Sequence, residues 1–182
     1  MFRRKWHDQT QLIDLLNQYD FAVDDYQSLL EIQSLTQGLE KLNPNFSVEL
    51  LSLAEILAPN YPNILPEFKQ RLNYFSRQVI LKLDEQPVIW AESLCDVDSQ
   101  FWCEYLNCGT QSLGRKLFDG HNEITRTNFV YRAFEMYELP FILPEKFCAE
   151  HVIARQSIFT YHHEDLCLTE WYLPNLSQFM PK

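Results

Sequence analysis

Arg77-Gln78-Val79-Ile80-Leu81-Lys82-Leu83, then Asp84-Glu85-Gln86, then Pro87-Val88-Ile89-Trp90-Ala91-Glu92-Ser93 is the stretch that decides the fold. Two runs rich in Val, Ile, Leu and Trp flank a short polar turn, which is the pattern of a β-hairpin and so of an antiparallel sheet. Working outward toward the N-terminus, helices are expected over Gln9 to Tyr19 and over Tyr26 to Leu42. In the second, Leu29, Leu30, Ile32, Leu35, Leu39 and Leu42 recur at helical spacing until Asn43-Pro44 stops it. Phe46 to Leu51 reads as a short strand, and residues 58 to 66 as an irregular connection stiffened by prolines. Beyond the hairpin, Asp98 can cap a helix through about Asn107, and a short helix over Leu113 to Phe118 follows a turn at Gly109. Strands are expected over Glu123 to Phe134, Val152 to Tyr161 and Leu166 to Leu173, the last two joined by His162-His163-Glu164-Asp165. Helices early and hairpin-connected strands late predict an α+β fold, one domain over residues 1 to 182 with an antiparallel sheet.

Alternation along the strands puts two charges where apolar side chains belong. Arg77 shares a face with Val79, Leu81 and Leu83. In Leu166-Cys167-Leu168-Thr169-Glu170-Trp171-Tyr172-Leu173-Pro174, Glu170 shares a face with Leu166 and Leu168. A charge turned into a core is costly unless paired, so such residues are either a structural ion pair or parts of a pocket. In the second case the arginine grips a carboxylate and the glutamate handles a proton or hydroxyl.

Composition narrows the partners. A 182-residue chain that is 46% hydrophobic and 14% aromatic can bury a full core. Met1 to Asp8 carry basic charge but no apolar run of ~7 to 15 residues follows, so no secretory signal is expected. No window reaches the ~18 apolar residues of a membrane span, and five cysteines without an export signal suit reduced thiols in a cytoplasm; a monomer is expected. Cys103 and Cys108 lack zinc-ligand spacing, and no metal is expected. A formal charge of -10 argues against nucleic acid, whose phosphates require a positive field. An anionic small molecule would need a local cluster of arginines.

Four stretches together resemble the chorismate lyases, which remove pyruvate from chorismate to leave 4-hydroxybenzoate, the first step toward ubiquinone. They are Gln33-Ser34-Leu35-Thr36-Gln37-Gly38-Leu39; Ser76-Arg77-Gln78-Val79-Ile80-Leu81 with Gln86-Pro87-Val88-Ile89-Trp90-Ala91; Ser112-Leu113-Gly114-Arg115-Lys116-Leu117-Phe118; and Ala154-Arg155-Gln156-Ser157 with Leu168 to Pro174. Their shared order over roughly residues 30 to 175 is more specific than any one of them. The resemblance implies an antiparallel sheet with helical flaps over a buried pocket, and neither metal nor organic cofactor. It implies that Arg77 binds the ring carboxylate with the backbone N–H of Leu113, that Leu35 touches the ring, and that Glu170 lies at the 4-oxygen. There Glu170 would donate a hydrogen bond or proton toward the ether side. Arg126 and Arg155 match family arginines, and either could complete the cationic pocket for the second carboxylate; on pattern alone each could equally be a solvated strand residue.

Three positions depart from the family. Glu92 stands where an arginine is usual, so either it points outward, another cation substitutes, or the substrate differs. Ser112 replaces a proline, and Glu138 to Glu150 reads as an added flap. His162 and His163 suit a polar turn, and Trp90, Trp102 and Trp171 suit the core or a sheet face. The rival functions are a noncatalytic domain binding a small carboxylate, disfavoured because residues 1 to 25 are too short for a winged helix; a lyase giving another hydroxybenzoate isomer; and a structural interaction protein.

Overall fold

A computed structural model describes residues 5–21, 23–57, 68, 71–118, 123–140 and 150–181. The proline-rich connection at 58–66 and most of the expected added flap lie outside these residues. The hairpin stands as expected and runs longer: β2 is Asn73–Leu83 and β3 is Gln86–Asp96. Asp84 and Glu85 turn it with φ of 45° and 61°, the left-handed pair that a two-residue hairpin loop requires. Asn43 Nδ2 and Asn45 Nδ2 both donate to the Asp84 carboxylate, at 2.5 and 2.6 Å, and hold the turn against the residues leading into β1.

All strand pairs are antiparallel. With β1 (Phe46–Leu57), β6 (His151–Tyr161) and β7 (Glu164–Tyr172), the order is β1-β2-β3-β7-β6, and β4 (Thr125–Arg126) and β5 (Val130–Glu135) both pair with β6. Expected boundaries shift for local reasons. β1 passes beyond Leu51 because Leu51 bulges out of register with β2 and breaks the alternation that marks a strand. The strand expected over Glu123 to Phe134 is split: Thr127 N donates to Ile158 O at 2.9 Å while Thr127 Oγ1 accepts from Ile158 N at 3.0 Å, so the side chain completes a rung normally made by backbone.

The helices are α1 (Leu12–Gln18), α2 (Val23–Glu31), α3 (Leu35–Leu42), α4 (Gln100–Leu106) and α5 (Leu113–Phe118). The single helix expected over Tyr26 to Leu42 is two. Ser34 Oγ accepts from Gln37 N and caps α3, while a buried arginine from the sheet, Arg155, takes the last carbonyls of α2. Helical periodicity runs through the break because both helices pack the same face on one core. Ser99, not Asp98, caps α4, accepting from Trp102 N at 3.2 Å. Among the described residues, no helix is long and apolar enough to cross a membrane.

Helices α1 to α5 cover one face of the sheet, packing Leu12, Leu30, Leu39, Trp102 and Leu117 onto Val79, Leu81, Ala91, Phe159 and Leu166. The reverse face carries Ile80, Trp90, Trp171 and Phe134, so Trp90 and Trp171 are sheet-face aromatics in contact and Trp102 belongs to α4. Glu92 belongs to the reverse face. Leu83 pairs with Gln86 and Lys82 with Pro87, but Leu81 then pairs with Ile89, leaving Val88 as a bulge. That extra residue sets Ser93 opposite Arg77 and turns Glu92 away.

Glu92 is buried there, its Oε1 accepting from Ser76 Oγ at 3.0 Å and Gln78 Nε2 at 2.8 Å. Gln78, Glu92, Thr169 and Gln156 are paired in one row across β2, β3, β7 and β6, closed by Gln156 Nε2 on Thr169 Oγ1 at 2.6 Å. Burial pushes the Glu92 carboxyl above its ordinary range, more than the two hydrogen bonds lower it. Below that range both folded and unfolded chains hold the proton; as pH rises the unfolded chain releases it first, so stability is lost up to the folded pKa. Glu92→Gln keeps an acceptor for both donors and removes this loss. It is expected to melt about 3 °C or more above the wild type at pH 8, the gap closing toward pH 4 in thermal scans.

Candidate active site

Three adjacent rows of the helix-covered face build the floor of a cavity. Val79, Ala91, Glu170 and Arg155 pair across β2, β3, β7 and β6, and the next row is Arg77, Ser93, Leu168 and Ser157. Two strand spacings and one two-residue step separate the Cα atoms of Arg77 and Glu170 by about 12 Å on a flat sheet, room for one ring between their side chains. The space it offers, counted out into open solvent, is about 550 Å³. Leu35 and Leu113 roof it from α3 and α5, and Arg126 and Phe129 stand at the β4 side. Arg77, Glu170, Leu35, Leu113, Arg126 and Arg155 thus all reach one cavity; Glu92 does not.

The roof is closed by contacts between α3 and α5. Thr36 Oγ1 and Ser112 Oγ are 2.5 Å apart, Ser112 Oγ accepts from Arg115 N at 3.3 Å, and Arg115 pairs with Glu40. A Cβ on Gly114 would lie 2.7 Å from Thr36 Oγ1, so only glycine lets the helices meet this closely. Gly114→Ala is expected to cost about 1–2 kcal/mol and to speed ligand release, read by denaturation and by stopped-flow dissociation. Ser112, in place of the usual proline, therefore contributes a hydrogen bond to the closure.

Arg77 is 2% exposed. Its Nη2 donates to Gly109 O and Gln111 O, both at 3.0 Å, tying the loop before α5 to the floor; Gly109 takes φ of 58°, where a glycine is unstrained. Its Nε is buried with no hydrogen-bond partner, and burial lowers its affinity for the proton, as expected of a cation awaiting an anion.

The partner of Glu170 is Arg155. Arg155 Nε donates to Glu170 Oε2 at 2.5 Å, and Nη1 reaches the carbonyls of Leu29, Leu30 and Ile32 at 3.3, 3.0 and 2.7 Å. Tyr172 and Tyr131 hydroxyls add bonds to Leu29 O and Leu30 O at 3.1 and 3.4 Å. Burial opposes the Arg155 charge, but Glu170 together with Tyr172 and Tyr131 outweighs it and the guanidinium is raised above its usual value. Arg155 is therefore no solvated strand residue: it orients the glutamate and fixes the α2–α3 corner that delivers Leu35. Arg126 donates from Nη1 to Gln33 O at 3.0 Å and from Nη2 to Gln33 Oε1. The guanidinium carbons of Arg126 and Arg155 lie 4.1 and 4.2 Å from the Phe129 ring centroid.

Other polar and charged residues fall outside the cavity. His162 and His163 form the β6–β7 turn with φ of 46° and 68°, Arg115 serves the roof, and Lys116 Nζ donates to Tyr105 O at 2.8 Å. Among the described residues, no three His, Cys, Asp or Glu side chains gather as a metal site. Cys95 and Cys103 are free thiols with sulfurs 3.9 Å apart. Sequence reasoning did not single out Gln33, Thr36, Phe129 or Ser157, although the first two and the last lie in the quoted stretches.

An antiparallel sheet whose helical face closes over an arginine-lined pocket defines an α+β protein with a cavity between its helices and its sheet. The sequence model of the family described as chorismate lyase matches residues 5–180, nearly the whole chain, and the chain belongs to that family. A chorismate-related function follows. A search of curated proteins returns no match. Among solved structures the chain is similar to a possible transcriptional regulator, YydK, from Bacillus subtilis subsp. subtilis str. 168, with 13% identity and a TM-score of 0.41. The similarity covers 76% of this chain and 62% of that one, so this chain spans less than two thirds of the regulator's length.

Proposed function

We propose that this protein is a lyase that converts chorismate to 4-hydroxybenzoate and pyruvate, supplying the aromatic ring of ubiquinone. One observation carries this: at one side of an apolar pocket Arg77 keeps an unpartnered buried Nε, and across about one ring width Glu170 is fixed by Arg155. Arg77 and the N–H of Leu113 take the ring carboxylate, Leu35 packs on the ring, and Glu170 meets the 4-hydroxyl.

In chorismate the 4-oxygen stays with the ring and the ether that breaks is on the neighbouring carbon. A residue at the 4-oxygen therefore orients the reacting ring rather than protonating the leaving group. The Arg155 bond supports the same role, since it makes Glu170 Oε2 an acceptor and leaves the other oxygen for the 4-hydroxyl. The ether C–O bond breaks, the hydrogen on the 4-carbon is lost, the ring becomes aromatic, and the enolpyruvyl group leaves with a hydrogen gained at its methylene as pyruvate. Aromatisation drives the reaction, so positioning and exclusion of water are what the pocket has to provide.

The deciding assay mixes purified protein with chorismate and follows pyruvate and the aromatic product together. Release of pyruvate with 4-hydroxybenzoate in equal amounts is the expected result. A 3-hydroxy product would change the isomer, and tight 4-hydroxybenzoate binding without pyruvate would make the chain a noncatalytic binder. Glu170→Gln is expected to lower kcat about 100-fold, some 2.7 kcal/mol, with a smaller change in 4-hydroxybenzoate affinity by calorimetry.

A further inference from the structure

We propose that Ser157 donates a hydrogen bond to the oxygen on the ring carbon beside the one that Glu170 meets, which in chorismate is the ether oxygen whose bond to the ring breaks. The ligand rests on the chorismate reading above; the contact rests on the geometry of the cavity floor. Among the described residues, the hydroxyl side chains that line the cavity are Ser93, Ser157, Thr36 and Ser112. Thr36 and Ser112 are bonded to each other in the roof. Ser93 and Ser157 are 2% and 1% exposed, and among the described residues neither side chain takes part in a hydrogen bond. Burying a hydroxyl in this way costs free energy that a ligand oxygen would recover. Ser93 stands opposite Arg77, at the carboxylate end, so Ser157 is the hydroxyl at the Glu170 end.

Glu170 and Ser157 are diagonal neighbours on β7 and β6: Glu170 pairs with Arg155, and Ser157 follows two residues on, opposite Leu168. Such a diagonal spans about 7–8 Å between Cα atoms, with both side chains rising on the same face. Two hydrogen bonds of about 2.7 Å, with the similar gap between oxygens on adjacent ring carbons, bridge that distance. On the other side of Glu170 the floor continues as Ala91 and Val79, whose side chains offer no donor. An oxygen next to the 4-hydroxyl is therefore turned toward Ser157. In the reaction, the electron pair of the breaking C–O bond goes to that oxygen, which becomes the ketone oxygen of pyruvate. The C–H pair at the 4-carbon enters the ring and a proton ends on the methylene, so Ser157 keeps its own. Its hydrogen bond strengthens as charge gathers on the leaving oxygen, a contribution that Glu170, at the 4-oxygen, does not make.

The test compares 4-hydroxybenzoate with 3,4-dihydroxybenzoate, the same ring carrying one more oxygen beside the first. Calorimetric affinities and single-turnover rates with chorismate are measured for the wild type and Ser157→Ala. Ser157→Ala is expected to weaken 3,4-dihydroxybenzoate about fivefold or more while 4-hydroxybenzoate changes by about twofold at most, the second result also showing that the variant folds. Its single-turnover rate is expected to fall about tenfold or more. Equal losses for both ligands would make Ser157 a floor residue acting through shape, and no loss for either would remove it from binding; both overturn the inference. An active wild type whose single-turnover rate is unchanged in Ser157→Ala overturns the donor role at the leaving oxygen. Pyruvate release by the wild type separates the two proposals. A wild type that releases none but shows the selective loss retains Ser157 as the contact for a vicinal oxygen without the lyase, and one that releases pyruvate with no selective loss retains the lyase alone. A wild type that binds neither ligand and releases no pyruvate overturns both.

Discussion

Arg155→Ala is expected to lose about 3–5 kcal/mol of folding free energy, because it strands Glu170 in a buried site and removes the donor shared by the last carbonyls of α2. Urea denaturation measures this directly. The loss is a penalty for the unpaired carboxylate more than a measure of the pair's own worth, so a second variant separates the two. Arg155→Met combined with Glu170→Leu replaces the ion pair by apolar side chains and is expected to regain most of the stability while binding no 4-hydroxybenzoate. The two residues are direct cross-strand neighbours and their effects should be strongly non-additive. An Arg155→Ala protein as stable as the wild type would mean that the α2–α3 corner is held by Tyr131 and Tyr172 alone.

Arg77→Ala should have the largest effect on turnover. It removes the charge assigned to the ring carboxylate and also frees Gly109 O and Gln111 O, so the loop that sets the start of α5 loses its tie to the floor. A fall of about 1,000-fold in kcat/KM, some 4 kcal/mol, is expected with a large loss of 4-hydroxybenzoate affinity. Arg77→Lys should lie between, since an ammonium restores charge but cannot serve two carbonyls and a carboxylate from one planar fork. Steady-state kinetics and calorimetry check both variants. Affinity retained within about threefold in Arg77→Ala would take the ring carboxylate away from this residue.

Much of the site is legible in the sequence, because it hangs on alternation within strands. Arg77 and Glu170 each stand out as a charge on an apolar face, and each is where that alternation places it. What alternation cannot provide is register between strands. Taking His162 to Asp165 as a four-residue turn would set Glu170 opposite Ser157. The actual turn is His162-His163, with Tyr161 opposite Glu164, and counting inward from there brings Glu170 to Arg155. The left-handed conformation of two adjacent histidines was the missing fact, and histidine only weakly signals it. The split between α2 and α3 was hidden for a related reason: Arg155 ends α2 from 123 residues away in sequence, and no local propensity records so distant a donor. Glu92 shows the same limit in the other hairpin. An unbroken count from the Asp84-Glu85 turn would set it opposite Arg77, and the Val88 bulge removes it to the reverse face.

That bulge makes the pairing of Leu81 with Ile89 the point that fixes which face of β3 meets the pocket. Loss of a single residue is ordinarily best tolerated beside a hairpin tip. Here an in-frame deletion of Val88 would leave Pro87 opposite Lys82 and Ile89 opposite Leu81, so Ala91 and Ser93 keep facing the ligand, whereas closing the bulge with all residues kept would carry Trp90, Glu92 and Leu94 toward it. The face that β3 shows the pocket therefore depends on Ile89 meeting Leu81, and one residue fewer between the turn and that pair is absorbed by loss of the bulge.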